Sequence, residues 1–96
     1  MRHARAPALA QLAALLEQLR LLPGMVERQP GIFYRRSQSF LHFHEDPAGL
    51  FADLRLIAGE DFTRYQVDST AQQATLAAAV GRVLTLAQKP PYESWG

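Results

Sequence analysis

Apolar residues recur at helical spacing near the start of the chain. Between positions 7 and 22 a stripe of leucines alternates with glutamines and a glutamate, which predicts an amphipathic helix over 7–22. Pro7 suits the first turn of a helix, where its missing N–H is not needed. Leu22 is followed by Pro23 and Gly24, and this pair predicts the end of the helix.

A second apolar stripe near the other end predicts a helix over 69–88. Its start carries two candidate capping boxes, in which a hydroxyl side chain and a glutamine three residues later each satisfy a backbone N–H. Ser69 with Gln72 is one pair, and Thr70 with Gln73 is the other. Both predict the same helix start to within one residue.

Between these helices the hydrophobic period changes to two, which is typical of β-strands. Four strands are predicted: Ile32–Arg35, Phe40–Glu45, Leu50–Ile57 and Phe62–Val67. The turns between them are short, at 36–39, 46–49 and 58–61, so neighbouring strands are expected to be antiparallel. The segment Met25–Gln29 is either an edge strand or an ordered approach to the next turn.

The three turns together fix which residues face each other. Leu41 is expected opposite Leu54, and His42 opposite Asp53. All three turns give one apolar sheet face: Ile32, Tyr34, Leu41, Phe43, Leu50, Ala52, Leu54, Leu56, Tyr65 and Val67. Two amphipathic helices are available to cover it. The predicted fold is therefore α+β, a two-layer sandwich in which a four-stranded antiparallel meander carries both helices on one face.

The other face of the sheet, which we call the open face, is predicted to mix aromatic and charged side chains. It would carry Phe33, Phe40, Phe51, Ile57 and Phe62 with Arg35, His42, His44, Asp53, Arg55, Arg64 and Gln66. Exposed apolar groups rimmed by charge mark a partner or ligand surface. We therefore expect the function of the protein to lie on this face.

Composition narrows the class of protein. The 96 residues are 48% apolar and 20% charged, as in a single globular domain, and not as in a disordered or collagen-like chain. The absence of cysteine excludes disulfides, thiol catalysis and cysteine-ligated metal centres. Since the net charge is only +1, general nucleic-acid binding is not expected. No apolar run would span a membrane, and no signal-peptide pattern is present, so we expect a cytoplasmic bacterial protein.

The motif His42-Phe43-His44 places two imidazoles on one face of a strand. A metal site needs a third ligand, and Asp53 is the nearby candidate on that face. The alternative is a hydrogen-bonded His42–Asp53 pair, which would raise the pKa of His42. No catalytic residue is assigned, because no serine lies in a nucleophile-elbow context that would complete a triad. We also assign no metal ligand and no cofactor from the sequence.

Arg55 is predicted opposite Arg64, where like charges destabilise a strand pair. Asp53 would relieve this pair, or the two side chains would splay into solvent. The other alternative is a bound anion, because guanidinium groups match carboxylate and phosphate geometry. Arginine interleaved with phenylalanine also suits stacking on single-stranded bases. The candidate ligand-binding set is His42, His44, Asp53, Arg55, Arg64 and Arg35.

Three short runs resemble a bacterial domain of unknown function that carries a luciferase-like label. They are Leu22-Pro23-Gly24-Met25-Val26-Glu27-Arg28, Phe40-Leu41-His42-Phe43-His44 and Phe51-Ala52-Asp53-Leu54. The resemblance covers residues 9–57. It implies a helix followed by a His-x-His strand and an Ala-Asp-Leu strand, and it implies that His42 and Asp53 are shared features.

The function predicted from the sequence is a non-enzymatic interaction module that forms a homodimer or binds a partner through the open face. Phe33, Phe40 and Phe51 would contribute to the interface, together with Trp95 from the aromatic tail 90–96. A small anionic-ligand binder or enzyme is the alternative. A single-stranded nucleic-acid binder is the third hypothesis.

Overall fold

The computed structural model of the chain describes residues 2–88. The elements are β1 (Arg2–His3), α1 (Ala6–Gln11), α2 (Ala13–Arg20), β2 (Val26–Gln29), β3 (Ile32–Arg35), β4 (Gln38–Asp46), β5 (Gly49–Leu54), β6 (Thr63–Gln66) and α3 (Thr70–Gln88). In this part of the chain, every helix is too short or too polar to cross a membrane.

The strands form one antiparallel sheet in the order β2-β3-β4-β5-β6, with β1 paired to β4. The α+β class and the antiparallel meander are confirmed, but the sheet has more strands than the four predicted. Of the two interpretations of Met25–Gln29, the edge strand is the correct one, as β2. The additional strand β1 is too short to show a hydrophobic period.

Both helical layers cover the same face of the sheet. Leu41 and Leu54 belong to one buried cluster with Leu16 of α2 and Val80 of α3. Burying each such side chain contributes about 1.5–3 kcal/mol. The helices therefore lie on the Leu41–Leu54 side, as the apolar pattern predicts, and the open face lies on the other side.

The helix predicted over 7–22 is divided at Leu12. This residue leaves helical geometry, at φ −98° and ψ 6°, and its N–H is shared between the carbonyls of Ala8 and Leu9. The other helix starts as predicted, with a capping box. Ser69 N–H donates to Gln72 Oε1 at 3.0 Å, and Gln72 N–H donates to Ser69 Oγ at 3.0 Å.

The register between β3 and β4 differs from the predicted one by two residues beside the turn and by one residue at Ile32 and Phe33. The turn consists of Arg36 and Ser37 alone, both with positive φ, instead of four residues. Two such residues form a turn whose twist matches a β-hairpin, although Asn-Gly is the usual sequence. The shorter turn alone shifts the register by two residues, and a bulge at Phe40 in β4 reduces the shift to one from Phe33 onward. A shift of one residue moves each side chain to the other face. Phe33, predicted on the open face, consequently pairs with Leu41 and is 1% exposed in the core.

A bulge in β4 also places Phe40 in the core. Phe40 is the extra residue between Leu41 and Ser39, which both pair with β3. Its side chain is 2% exposed, so its predicted position on the open face is wrong. Ile32 and Tyr34 are predicted on the core face. In the structure they lie on the open face, because Ile32 pairs with His42 and Tyr34 alternates with the buried Phe33.

The register between β5 and β6 differs from the predicted one by two residues. The connection runs over 55–62, longer than the predicted turn at 58–61, and Asp53 pairs with Arg64. A shift of two keeps every side chain on its face, but it replaces the predicted Arg55–Arg64 pair by an acid–base pair. Leu56, predicted in the core, lies exposed in this connection.

Candidate functional site

All three histidines of the chain meet on the open face. His42 and His44 alternate along β4 and therefore point the same way. β1 brings His3 opposite His44. The imidazole nitrogens available as ligands lie within 4.8 Å of one another. We call His3, His42 and His44 the histidine cluster.

Backbone pairing and ring contacts hold this arrangement. Ala4 N–H donates to the carbonyl oxygen of Phe43 at 3.0 Å and so continues the pairing of β1 with β4. His42 Nδ1 lies 2.7 Å from His44 Nε2, a hydrogen bond between the two imidazoles. The ring centroid of His3 is 5.9 Å from that of His42 and 5.3 Å from that of His44. The cluster is thus defined by the sheet and not by a loop.

Asp53 and Arg64, both predicted as ligand-binding residues, lie beside the cluster. Arg64 donates from Nε to Asp53 Oδ1 at 2.8 Å and from Nη2 to Oδ2 at 2.9 Å. Asp53 Oδ2 is also 3.1 Å from His44 Nε2, and the residue is only 7% exposed. The hydrogen bonds from Arg64 lower the pKa of Asp53, so that its carboxylate is ionised at neutral pH.

His42 does not form the ion pair with Asp53 that the sequence predicts. Their backbones are opposite, as predicted. However, the Asp53 carboxylate is held by Arg64 and His44, and the His42 ring packs against His44 and Phe62, with centroids 4.7 and 4.5 Å away. Burial lowers the pKa of His42 and the charge of His44 lowers it further, while Asp53 acts in the opposite direction. The prediction of a raised pKa is therefore wrong.

Arg35 and Arg55 lie outside the histidine cluster, although Arg55 adjoins it through Phe62, against which His42 also packs. The Arg55 guanidinium lies over the Phe62 ring, 4.2 Å from its centroid, and its Nε donates to the carbonyl oxygen of Ser39 at 2.9 Å. Arg35 lies over Phe40, 5.6 Å from the ring centroid. The predicted ligand-binding set is consequently two groups, one around Asp53 and one at the end of the β3–β4 hairpin.

The predicted interface residues are also divided. Phe33 and Phe40 lie in the core, because of the register and the bulge described above. Phe51 remains on the open face, half-buried opposite His44. Trp95 and the tail lie outside the described residues. Of the predicted interface residues that the structure describes, Phe51 alone stays on the open face, while Ile32 and Tyr34 join that face.

His3 is the cluster residue that sequence reasoning missed. It precedes the first helix in a segment without hydrophobic period, and a strand of two residues gives no pattern. Asp53, the third ligand considered from the sequence, is correctly placed near His44 but is held by Arg64. The available signal was the count of histidines: there are three, and two already share a strand face.

No family model, curated protein or solved structure matches this chain. The resemblance to the luciferase-like domain thus stays a prediction.

Proposed function

We propose that this protein binds a divalent transition-metal ion through the histidine cluster. The observation that carries the proposal is the convergence of three imidazoles, with ligand nitrogens within 4.8 Å of one another. In a tetrahedral site with metal–nitrogen distances of about 2.0–2.1 Å, the ligand nitrogens lie about 3.3–3.4 Å apart. The three rings would rotate to that spacing when an ion binds.

The ligand type favours zinc, cobalt, nickel or copper over magnesium or calcium, which prefer oxygen ligands. Only the neutral imidazole binds a metal, and burial favours that form of His42. The ionised Asp53, whose Oδ2 is 3.1 Å from His44 Nε2, adds a negative charge near the cation. Three nitrogen ligands leave a fourth position for water or for a small molecule.

A metal titration of tag-free protein tests this proposal. We expect the chain to bind one Co²⁺ ion, which is detected by its visible absorption, and we expect Zn²⁺ to displace it. His3→Gln, His42→Gln and His44→Gln should each weaken binding by about tenfold or more. Gln18→Ala, an exposed position on α2, is the control and should leave binding unchanged.

Two results would contradict the proposal. One is binding by the wild type no tighter than by the variant that lacks all three imidazoles. The other is loss of affinity confined to His3→Gln, because it would locate the ion at the chain end and not at the cluster. Circular dichroism of each variant checks that the fold is kept.

Dimerisation through the open face is the second candidate function, as the sequence predicts. Phe51 is the described residue that supports it, since its ring stays half-buried on that face beside the histidine cluster. A dimer and a metal site on one face are compatible, because a second copy could supply the fourth ligand.

A further inference from the structure

A second group of basic residues surrounds a pocket at the end of the β3–β4 hairpin. Its volume is about 50 Å³, and Arg35, Arg36 and Arg55 contribute to its wall. Ser39 and Phe40 line it as well. We call it the arginine pocket. It is separate from the histidine cluster and shares no residue with it.

The charge of this pocket is not balanced by carboxylates. Among the described residues, no acidic side chain lines it, and none of its three arginines forms an ion pair. Arg55 instead donates to two backbone carbonyls, those of Ser39 and Glu60. Three arginines at the wall of one pocket bring like charges to it, and an anion bound there would reduce their repulsion.

The backbone at the pocket is also unusual. Arg36 and Ser37 both adopt left-handed conformations, with φ +53° and +65°, where glycine or asparagine would be less strained. Strained residues of this kind are concentrated at ligand sites. The strained conformation places a third arginine, Arg36, at the wall of the pocket.

We infer that the arginine pocket binds a phosphate group, either as free phosphate or as the phosphate of a small monoester. Guanidinium groups donate paired hydrogen bonds to phosphate oxygens. A cavity that holds one water molecule has a volume of about 10–15 Å³ on the same measure. The arginine pocket, at about 50 Å³, therefore accommodates a group of a few heavy atoms, such as one phosphate, and not a whole nucleotide. Phe40 is buried and offers no surface for a stacked base.

Calorimetry on the full chain, treated with EDTA and kept at constant ionic strength, tests this inference. Inorganic phosphate and glycerol phosphate are the probes, and acetate is the comparison ion. We expect saturable phosphate binding that Arg35→Gln and Arg36→Gln weaken by about tenfold or more each. Arg82→Gln, an exposed arginine on α3, is the matched control and should change the affinity less than twofold. Thermal unfolding checks that the variants fold.

The two probes distinguish the sources of the phosphate group. Binding of both supports a monoester ligand, and binding of inorganic phosphate alone supports free phosphate. The inference is overturned if acetate binds as tightly, if Arg82→Gln weakens binding as much as the pocket variants, or if millimolar phosphate gives no saturation. His3→Gln should keep phosphate binding, because His3 packs against His42 and His44 and not against a residue that lines the pocket; loss of phosphate binding in that variant would also overturn the inference.

Discussion

Glu27 joins two segments of the chain through one carboxylate. Its Oε1 accepts from Arg20 Nε at 2.5 Å, and its Oε2 accepts from Arg20 Nη2 and from Gly31 N–H, each at 2.9 Å. The hydrogen bonds from Arg20 lower the pKa of Glu27 below its ordinary value. The end of α2 is thereby tied to the edge strand β2 and to the turn that follows it.

The sign of the pKa shift sets the pH dependence of this contact. Since the pKa of Glu27 is lower in the folded than in the unfolded chain, its contribution is full above the unfolded value of about 4.3. It is lost as the pH falls through the folded pKa. Glu27→Gln should therefore lower the free energy of unfolding at pH 7, and the difference from wild type should vanish in strong acid.

Urea denaturation between pH 2 and 7 measures this difference. Glu17→Gln, an exposed carboxylate on the same helical segment, is the matched control and should have a smaller effect at pH 7. An equal loss of stability for both variants would contradict a specific role of Glu27.

At the scale of elements, the register of β3 decides which phenylalanines stabilise the fold. Phe33 is buried against Leu41, whereas Phe51 is half-buried on the open face. Phe33→Ala should therefore cost about 3–5 kcal/mol of unfolding free energy, as for other buried phenylalanines. Phe51→Ala should cost clearly less. Chemical denaturation of both variants is the measurement. A larger loss of unfolding free energy for Phe51→Ala than for Phe33→Ala would contradict the register described here.

The success of the sequence prediction differed between the turns for a physical reason. Asp46-Pro47-Ala48-Gly49 carries strong turn residues, and its predicted pairing of β4 with β5 is confirmed residue by residue. That pairing placed His42, His44 and Asp53 together correctly. The turn at Arg36 and Ser37 has neither glycine nor asparagine, so its left-handed conformation gives no sequence signal. The turn is two residues shorter than predicted, and the bulge at Phe40 leaves a net shift of one residue at Phe33, so the prediction placed Phe33 on the wrong face.

At the scale of the whole molecule, several large apolar side chains remain outside the core. Leu21, Val26, Ile57 and Leu86 are each more than 60% exposed, and Val26 among them lies on the open face, opposite Tyr34. A homodimer through the open face, with Phe51 in its interface, remains the prediction from the sequence. Light scattering at micromolar concentration should give twice the chain mass of 10.7 kDa.

Phe51→Asp should shift that equilibrium to the monomer, because it places a charge in the interface. Leu86→Asp, on the helical side of the molecule, is the control and should leave the mass unchanged. A monomer mass for the wild-type chain would exclude the dimer, and ligand binding would then be the remaining function proposed for the open face.

The proposed metal site is formed by three imidazoles from two strands, His3 on β1 with His42 and His44 on β4. Long-range ¹H–¹⁵N NMR of the histidine side chains observes each ring nitrogen directly during a Zn²⁺ titration. We expect one nitrogen of each of His3, His42 and His44 to shift together and to saturate at one equivalent of zinc. Shifts confined to His3, or no shift at one equivalent, would contradict the proposal.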